Sequence, residues 1–522
     1  MILFDGGMGT MLQKFGLEAG SCPDYYNISH PDVVQQIHRA YMEAGSQFIT
    51  TNTFGSSPLK LADYDLSDKV EEIAATAVRN VRAACGDKVK VAGDMGPTGK
   101  FIKPIGDLSF DETCENYYRL AKALAQAGAD CLIIETIIDI QEMKAALIAA
   151  KEAASLPVIC QMTYSEDGRT IPGTDPVTAT ILLDAMGADV IGANCSVGPD
   201  KLLEAARQMV SVTNKPVIIQ PNAGMPVLEN GETRFPLGPE EFASYAPEFA
   251  KIGVSYLGGC CGTTPEFIRL LNGVFKGCVP GRPAHAMPSV LCTPMNYVNV
   301  DGITVVGERI NPTGKKRLQQ ALREGDSAYA CAQAVAQAEA GAELLDVNAG
   351  LPDIDEPATL EMLGRELQSI TDLPLQLDSS NKDALARALR IYNGKPIVNS
   401  VNGEQKVLDS ILPLCKKYGA AIVGLAIDER GILPAAEDRV AIARRITEAA
   451  LEAGIPREDI YIDCLTLTVS AEQSAAAETL KAITMCKKEL GVRTVLGVSN
   501  ISFGLPCRGY MNTTFLTLAM QA

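Results

Sequence analysis

Short apolar runs alternate with segments of helical pattern along the whole chain. In two examples a helical segment ends at Gly45 or Gly128, and the apolar runs 48–51 and 131–134 follow within a few residues. Glycine readily adopts the left-handed conformation that often ends a helix. Continuous apolar runs of this length between helices are typical of parallel strands that are buried on both faces. Repeated β-α units of this kind predict an α/β fold.

Eight of these apolar runs occur in the first half of the chain. The predicted strands are 2–4, 48–51, 89–92, 131–134, 158–162, 190–193, 217–220 and 256–259. Eight β-α units in roughly 250 residues match a (β/α)8 barrel of the TIM type in both count and length. A doubly wound parallel sheet is the alternative architecture. We therefore predict a first barrel over residues 1–277.

A proline-rich stretch interrupts the pattern between the two halves. Residues 278–299 contain four prolines and no helical period, a composition typical of an interdomain linker. After this stretch the alternation of apolar runs and helical segments resumes. The predicted strands of the second half are 304–307, 344–347, 375–377, 397–400, 422–426, 460–464 and 495–498.

The second half thus contains seven predicted strands, and a helical segment at 510–522 follows the last of them. A barrel needs an eighth strand to close. We therefore expect two tandem TIM-type barrels, the second spanning 300–522 and truncated before its eighth strand. Two alternatives are that this interpretation merges two strands, or that the linker pairs in the gap.

Composition and charge narrow the class of protein. Hydrophobic residues make up 47% of the chain and charged residues 21%, as in folded proteins with large cores. The net charge of -17 argues against a nucleic-acid partner, which would require a basic surface. Neither a secretory signal nor an apolar run of roughly 20 residues is present in the sequence. With 15 cysteines, an odd number, we expect a cytoplasmic protein with free thiols and no membrane contact.

Three cysteines follow predicted strands of the first half, where a barrel gathers its functional groups. Cys195 follows the sixth strand, and Cys260 and Cys261 follow the eighth. Adjacent residues of a regular strand point to opposite faces, so both can face one metal only where the strand is broken, and the glycines around them allow such a break. Three thiolates suit Zn²⁺, and a missing fourth protein ligand would leave an open catalytic position. The alternative is that these cysteines are small core residues.

Four segments of the first half, 4–10, 51–54, 192–195 and 258–265, resemble the homocysteine S-methyltransferase family. The most specific motifs are the Gly-Gly-Cys-Cys-Gly-Thr block and the upstream Asn-Cys pair. The resemblance extends over essentially all of residues 1–275, and it implies a barrel that methylates homocysteine.

The resemblance implies that Cys195, Cys260 and Cys261 bind zinc, with the homocysteine thiolate as the fourth ligand. Coordination to a metal deprotonates a thiol at neutral pH, and the thiolate is the nucleophile. Glu135 could pair with the ammonium group of the amino acid, or could instead bond a neighbouring helix N-terminus. Asp5 could contact the substrate or order a loop. The implied homocysteine contacts are Asp5, Gly6, Glu135 and Asn222.

Polar side chains stand at the ends of six predicted strands in the second half. Fixed donors and acceptors suit a flat polar heterocycle, and a carboxylate can accept two adjacent N–H groups of a guanidine-like ring edge. Any one of these residues could instead cap a helix. A series of six strand ends favours a shared ligand. The residues are Glu308, Asn311, Asp346, Asn348, Asp378, Asn399, Asp463 and Asn500.

The segments 306–311, 345–350, 378–379 and 498–504 resemble the methyltetrahydrofolate methyltransferase branch of the pterin-binding family. The resemblance covers residues 300–522. Dihydropteroate synthases share the fold, but the Ser-Asn-Ile-Ser-Phe-Gly block favours the methyltransferase branch. The resemblance implies that a pterin ring binds at the strand ends of the second barrel.

Loss of a methyl group from folate N5 also requires a proton on that nitrogen, because a tertiary amine leaves poorly unless it is protonated. The resemblance places Asn500 near N5, where it could bond N5–H as charge develops, and Asp463 is the other expected catalytic residue. Arg508 is expected around the site, although it could be a surface residue at a helix start. The implied folate-binding residues are Glu308, Asn311, Asp346, Asn348, Asp378, Asn399, Asp463, Asn500 and Arg508.

The tandem arrangement resembles that of the cobalamin-dependent methionine synthase family. It implies methyl transfer from 5-methyltetrahydrofolate through cobalamin to zinc-bound homocysteine, giving methionine and tetrahydrofolate. No Asp-x-His-x-x-Gly string occurs in the sequence, so we expect cobalamin on a missing C-terminal module or on a partner protein. One alternative is a zinc-dependent homocysteine methyltransferase that uses another donor, such as betaine or S-methylmethionine, beside a folate-binding second barrel. The other is a structural zinc with a second barrel that only stores folate.

Overall fold

The computed structural model divides the chain into two compact units, Met1–Ala286 and Met287–Ala522. Both units consist of parallel strands that alternate with helices, as the sequence predicts. In the part of the chain that the structure describes, no helix is both long and apolar enough to cross a membrane. The structure describes all residues except 19, 230–231, 276, 280 and 282–285.

The first unit contains a parallel sheet and a small antiparallel hairpin. The hairpin consists of β8 and β9 and pairs only with itself in the described residues. All pairs of the larger sheet are parallel. The strands are β1 (Ile2–Leu3), β2 (Phe48–Thr50), β3 (Lys90–Met95), β4 (Cys131–Ile137), β5 (Val158–Met162), β6 (Val190–Asn194), β7 (Val217–Gln220), β8 (Val227–Glu229), β9 (Glu232–Arg234) and β10 (Tyr256–Leu257).

The parallel sheet runs in the order β1-β10-β7-β6-β5-β4-β3-β2, and its two ends meet. Gln47 N, just before β2, donates to Leu3 O at 2.8 Å, and Gln47 Oε1 accepts a hydrogen bond from Leu3 N at 3.1 Å. Each barrel strand therefore neighbours the preceding and following barrel strands, whereas a doubly wound sheet reverses its strand order at a switch point. The predicted (β/α)8 barrel is confirmed, and the doubly wound alternative is wrong.

Local signals set the helix ends around this barrel. The helix Phe110–Ala127 begins with a capping box, in which Glu112 N donates to Ser109 Oγ and Ser109 N donates to Glu112 Oε2. It ends at Gly128, whose φ of 95° is left-handed, as the sequence pattern predicts. The helices of the first unit are Met8–Lys14, Tyr26–Ser29, Pro31–Ala44, Pro58–Leu61, Val70–Cys85, Phe110–Ala127, Ile140–Ala153, Pro176–Ala185, Pro199–Val210, Pro239–Ser244, Ala246–Ile252 and Pro265–Phe275.

An apolar cluster fills the interior of the first barrel below the carboxyl ends of its strands. It includes Phe4 and Ile133, and the rings of Phe4 and Phe48 stack with their centroids 4.8 Å apart. Phe4 immediately precedes Asp5, and Ile133 lies two residues before Glu135 in β4. The cluster therefore supports a layer of polar side chains at the strand ends.

The second unit also has a parallel sheet, in which β13 to β19 follow one another in sequence order. The seven strands agree with the sequence prediction, and no two of them were merged. The last strand, Arg493–Val495, begins two residues earlier than the predicted run 495–498 and shares only Val495 with it, and Val498–Ser502 forms a 3₁₀ turn. The strands are β11 (Val290–Cys292), β12 (Tyr297–Asn299), β13 (Val306–Ile310), β14 (Leu344–Asn348), β15 (Leu375–Asp378), β16 (Ile397–Val401), β17 (Ala421–Leu425), β18 (Ile460–Asp463) and β19 (Arg493–Val495).

Helices follow the strands of the second unit. A π-helical turn, Cys486–Leu490, extends one of them. Asn381 caps another by accepting hydrogen bonds from the backbone N–H groups of Asp383 and Ala384, so this Asn is a cap and not a ligand-binding group. The helices are Lys316–Glu324, Ala328–Glu339, Glu356–Ile370, Lys382–Ile391, Gln405–Tyr418, Ala436–Glu452, Ala475–Met485 and Arg508–Gln521.

The range assigned to a linker, 278–299, is divided between the two units. Its second part forms the β11–β12 hairpin, which pairs within itself and not in the gap of the second sheet. Cys292 and Lys395 exchange backbone hydrogen bonds of 3.1 and 2.9 Å, and Leu291 joins the core of the second unit. Proline is compatible with strand starts and turns, so the proline content hid this hairpin. Pro280 and Pro283, on which the linker prediction also rested, lie outside the described residues.

Candidate functional site

Three thiols converge at the carboxyl ends of β6 and β10. The Sγ atoms of Cys195, Cys260 and Cys261 all lie within 4.8 Å of one another, and those of Cys195 and Cys261 are 3.9 Å apart. All three side chains are half-buried. The structure thus brings together the three cysteines that the sequence singled out.

Backbone geometry explains how two adjacent cysteines face one point. The strand β10 ends at Leu257, so Cys260 and Cys261 lie in an irregular segment. Gly262 follows them with a φ of 81°. Cys195 itself has a φ of 62°, a left-handed conformation that non-glycine residues rarely adopt. Chain breaks after both strands therefore turn the thiols toward a common centre.

Asn222 holds this irregular segment in place. Its Oδ1 accepts a hydrogen bond from Cys261 N at 3.1 Å. The following residue, Ala223, donates its backbone N–H to Cys261 O at 2.9 Å, and Cys260 N donates to Pro221 O at 2.8 Å. The structure therefore places Asn222 as a residue that positions the backbone of a candidate metal ligand.

The thiol geometry fits zinc. A tetrahedral site with Zn–S bonds of about 2.3 Å has sulfur atoms about 3.8 Å apart, close to the 3.9 Å between Cys195 and Cys261. Hydrogen bonds from Cys260 and Cys261 lower the pKa of Cys195. The hydrogen bonds that Cys260 and Cys261 make to Cys195 raise the pKa values of these two thiols. Without a cation the cluster thus favours one thiolate shared by two thiols, and a cation would release the remaining protons.

The thiols form one wall of a cavity of about 340 Å³ at the strand ends. Asp5 lies in it and is only 2% exposed. Both of its carboxylate oxygens accept hydrogen bonds from Thr50, through the backbone N–H and the hydroxyl. Burial raises the pKa of Asp5 to about 7. Gly6 follows it, and a Cβ at that position would lie 2.6 Å from Thr263 Oγ1, so a side chain there would clash.

Glu135, at the end region of β4, faces the same cavity. Its Oε2 accepts a hydrogen bond from Asn194 Nδ2 at 3.0 Å. Burial, followed by the negative charge of Cys195, raises the pKa of Glu135 to about 8. The partner of Glu135 is thus a side chain at the end of β6, two strands away in the sheet, and not the helix N-terminus that the sequence left open.

Four predicted residues of the second barrel lie in two separate hydrogen-bonded groups at adjacent strand ends. Asp346 Oδ1 accepts hydrogen bonds from Gln376 Nε2 at 2.6 Å and Asn399 Nδ2 at 3.3 Å. Asp378 Oδ2 accepts one from Asn348 Nδ2 at 2.9 Å. Burial, followed by the charge of Asp378, raises the pKa of Asp346 to about 7. Carboxylates and amides therefore meet at the ends of three adjacent strands, β14 to β16.

Asp463 ends the strand β18 and is half-buried. Its Oδ1 accepts a hydrogen bond from Leu465 N at 2.8 Å, and burial raises its pKa to about 6. The turn after it rests on Arg439, a fully buried guanidinium that donates to the carbonyl oxygens of Cys464 and Leu465. A buried cation thus orders the turn that follows Asp463.

The other predicted folate residues lie in more open surroundings. Glu308 is exposed, and its Oε2 is 3.6 Å from Lys315 Nζ. Asn311 Oδ1 accepts a hydrogen bond from Thr313 N and so orders a turn. Asn500 is exposed in the 3₁₀ turn Val498–Ser502.

Arg508 begins the last helix and acts on the turn that carries Asn500. Its Nη2 donates to Ser499 O at 2.8 Å and its Nε donates to Ser502 Oγ at 3.0 Å. These two bonds lie on either side of Asn500 in the chain. Arg508 therefore orders the turn that carries Asn500.

Residues 2–275, more than half of the chain, match the family model described as homocysteine S-methyltransferase. The chain belongs to the homocysteine S-methyltransferase family. A second family model, described as pterin binding enzyme, matches residues 307–522.

Relatives of this homocysteine S-methyltransferase family member include two curated mycobacterial proteins. The methionine synthase of Mycobacterium leprae (strain TN) is 33% identical over 559 aligned residues, which cover 99% of this chain and 46% of the relative. That of Mycobacterium tuberculosis (strain ATCC 25618 / H37Rv) is 34% identical over 554 residues, with the same coverage of 99% and 46%. The chain thus spans about half the length of the curated relatives it matches.

A solved structure, the oxidized form of the homocysteine methyltransferase MmuM from Escherichia coli, is also similar to the first barrel. It is 23% identical with a TM-score of 0.46, and the match covers 52% of this chain and 95% of that one.

Three polar residues of the homocysteine S-methyltransferase barrel were given no role by the sequence reasoning, although Asn194 lies in the Asn-Cys motif. Asn194 precedes a candidate metal ligand, and its Nδ2 lies 3.8 Å from Cys260 Sγ. Asp94 and Asp24 line the same cavity as the thiols. Asp94 follows the predicted strand 89–92, so the strand-end criterion could have identified it. Asp24 lies far from any predicted strand end, and no sequence signal pointed to it.

Proposed function

We propose that this chain activates homocysteine as a zinc-bound thiolate in its first barrel and binds 5-methyltetrahydrofolate in its second. The methyl group would pass through cobalamin to homocysteine, giving methionine and tetrahydrofolate. The observation that carries the proposal is the convergence of three thiols and several buried carboxylates in one cavity. The names and 33–34% identity of the two mycobacterial relatives support it.

In the first barrel Cys195, Cys260 and Cys261 would hold the metal. Bound zinc would supply a Lewis acid that keeps the substrate thiol deprotonated at neutral pH. Asn222 fixes the backbone of Cys261. Glu135 would receive the ammonium group of the amino acid, which would restore the negative charge that burial disfavours.

In the second barrel Asp346, Asp378 and Asn399 would bind the edge of the pterin ring. A carboxylate can accept two adjacent N–H groups of such an edge, much as it accepts a guanidinium. Asp463 and Asn500 would act near N5, where the leaving amine must gain a proton. Asp463 suits this part because burial raises its pKa to about 6, closer to neutral pH than an ordinary carboxyl.

Cobalamin has no candidate binding motif in this sequence, so we assign it to a separate module or a partner protein. None of the 15 cysteines forms a disulfide in the described structure, which supports a reducing compartment such as the cytoplasm.

The test follows a labelled methyl group. Purified protein is loaded with zinc and given labelled 5-methyltetrahydrofolate and reduced free cobalamin, and homocysteine is added afterwards. We expect label in cobalamin first and in methionine second. Parallel reactions supply betaine or S-methylmethionine instead. Methionine formed only with one of those donors would support the alternative methyltransferase. Label that leaves folate but never reaches homocysteine would limit the function to the second barrel.

A further inference from the structure

The cavity of the first barrel holds four carboxylates, those of Asp5, Asp24, Asp94 and Glu135. Three are at most 5% exposed and Glu135 is half-buried. Among the described residues that line the cavity, the only Lys, Arg or His is Lys60, and its Nζ lies 3.7 Å from Asp63 Oδ2. The cavity therefore concentrates carboxyl groups with little cationic compensation from the protein.

Three of the four carboxylates already have partners in the protein. Asp5 accepts hydrogen bonds from Thr50 at both oxygens. Asp24 Oδ1 accepts from Gly55 N at 2.9 Å and from Ser56 Oγ at 2.8 Å. Glu135 accepts from the amide of Asn194, as described above. The hydrogen bonds of these three carboxylates order strand ends and loops of the barrel, which gives each of them a structural role.

Asp94 differs from the other three. It is 5% exposed, and its Oδ1 is buried without a hydrogen-bond partner in the described part of the chain. Its backbone is held firmly, because Asp94 N donates to Thr51 Oγ1 at 3.0 Å and Thr53 Oγ1 donates to Asp94 O at 2.7 Å. A fixed, buried acceptor without a donor is rare in folded proteins, and it calls for an explanation such as a bound ligand.

The neighbours of Asp94 indicate which ligand. After burial itself, the charge of Glu135 contributes most to raising the pKa of Asp94, followed by the charges of Asp24 and Asp5. The four carboxylates therefore act on one shared space. A primary ammonium group has three N–H donors and one positive charge, so it can bond more than one carboxylate at once.

We propose that Asp94 is a specificity-determining residue of the first barrel, where its carboxylate binds the ammonium group of the thiol substrate together with Glu135. The site would then select thiols that carry a free amino group. This inference rests on the proposed function, because it assumes that the thiol binds at the cysteine cluster. It adds to that function a residue which distinguishes homocysteine from a thiol acid of the same length.

The test compares two thiols that differ only in the amino group. Homocysteine and 4-mercaptobutyrate share the thiol, the chain length and the carboxylate. Their dissociation constants are measured by titration calorimetry with the zinc-loaded full chain, the Asp94→Asn variant and the Asp24→Asn variant. The last is a matched control, because it removes a carboxylate from the same cavity whose Oδ1 already has two donors in the protein.

We expect Asp94→Asn to weaken homocysteine binding by about 10- to 100-fold, the usual loss for a hydrogen bond to a charged group. Binding of 4-mercaptobutyrate should change by less than about 3-fold, since it has no ammonium group, and Asp24→Asn should keep the preference for homocysteine. Zinc content and melting temperature of each variant show whether it is folded. If Asp94→Asn is unfolded, Asp94→Ser, which is smaller and also uncharged, takes its place.

An Asp94 variant that is folded, holds zinc and retains the wild-type preference for homocysteine would overturn the assignment. Wild-type protein that binds both thiols equally would overturn it too, while leaving the thiol site of the proposed function intact. Wild-type protein that holds zinc but binds neither thiol would refute the proposed function, and the role of Asp94 with it.

Discussion

The substitution Asn194→Ala tests whether the neighbours of the thiol cluster tune the metal. Asn194 is fully buried at the end of β6. Its Nδ2 donates to Glu135 Oε2 at 3.0 Å and Thr136 Oγ1 at 2.9 Å, and it lies 3.8 Å from Cys260 Sγ. Its Oδ1 accepts a hydrogen bond from Thr136 N at 2.9 Å. One side chain thus links the candidate metal ligands to the candidate ammonium acceptor.

The expected effect has two parts. Groups that hydrogen-bond metal ligands typically contribute 10- to 100-fold to metal affinity, or about 1.4 to 2.7 kcal/mol. Removing the side chain also leaves partly buried partners without bonds, which costs about 1 to 3 kcal/mol of folding stability. Asn194→Ala should therefore weaken zinc binding by at least about 10-fold and lower the melting temperature. Asn194→Asp should weaken zinc binding as well, because it keeps the size but removes the N–H donors.

Zinc affinity is measured by competition with a chromogenic chelator, and stability by thermal unfolding of the metal-free protein. Asn272→Ala is the control, because Asn272 donates to Ala44 O at 3.2 Å, away from the cysteine cluster. It should lower stability without changing zinc affinity. If both Asn194 variants bound zinc within twofold of the wild type, the N–H···S contact would have no part in holding the metal.

Three further substitutions test the chemistry of the two barrels. Cys260→Ala should abolish homocysteine methylation and spare methyl loss from folate, whereas Cys331→Ala, outside the cluster, should spare both. Asn500→Ala should slow methyl transfer from folate more than it weakens folate binding, because the proposed bond strengthens as N5 gains its proton; an effect on the dissociation constant alone would contradict this. Asp346→Asn should weaken folate binding. In urea unfolding, however, the variant should gain more stability over the wild type at pH 8 than at pH 5. The folded pKa of Asp346 is about 7, above the unfolded value near 3.9, so the wild type loses stability as pH rises through this interval.

Topology explains why the thiol cluster was predictable from sequence. In a barrel the carboxyl ends of all strands meet at one face, so Cys195 and Cys260, 65 positions apart in the chain, were expected to lie near each other once the strands were assigned. The same argument applied to Asp346 and Asp378 in the second barrel. Apolar periodicity was sufficient for both, because buried parallel strands have a strong sequence signal.

The partners of individual side chains were not predictable in this way. The hydrogen bonds of Thr50 to Asp5 and of Asn194 to Glu135 depend on rotamers and on loops between distant strands. The unsatisfied carboxylate of Asp94 could be recognised only after every neighbouring donor had a position. The β11–β12 hairpin was missed for a different reason, since strands of three residues that flank a proline turn give little periodic signal.

Both candidate sites bury carboxylates in surroundings that disfavour their charge. Burial raises the pKa of Asp5 and Asp346 to about 7, that of Glu135 to about 8 and that of Asp463 to about 6. Such groups are partly neutral near pH 7 while the site is empty, and an ammonium or an N–H-rich ring edge would restore their charge. Ligand binding would then release protons from the protein. Burial of these carboxylates costs folding stability near neutral pH, and a ligand that bonded them would offset that loss through its binding free energy.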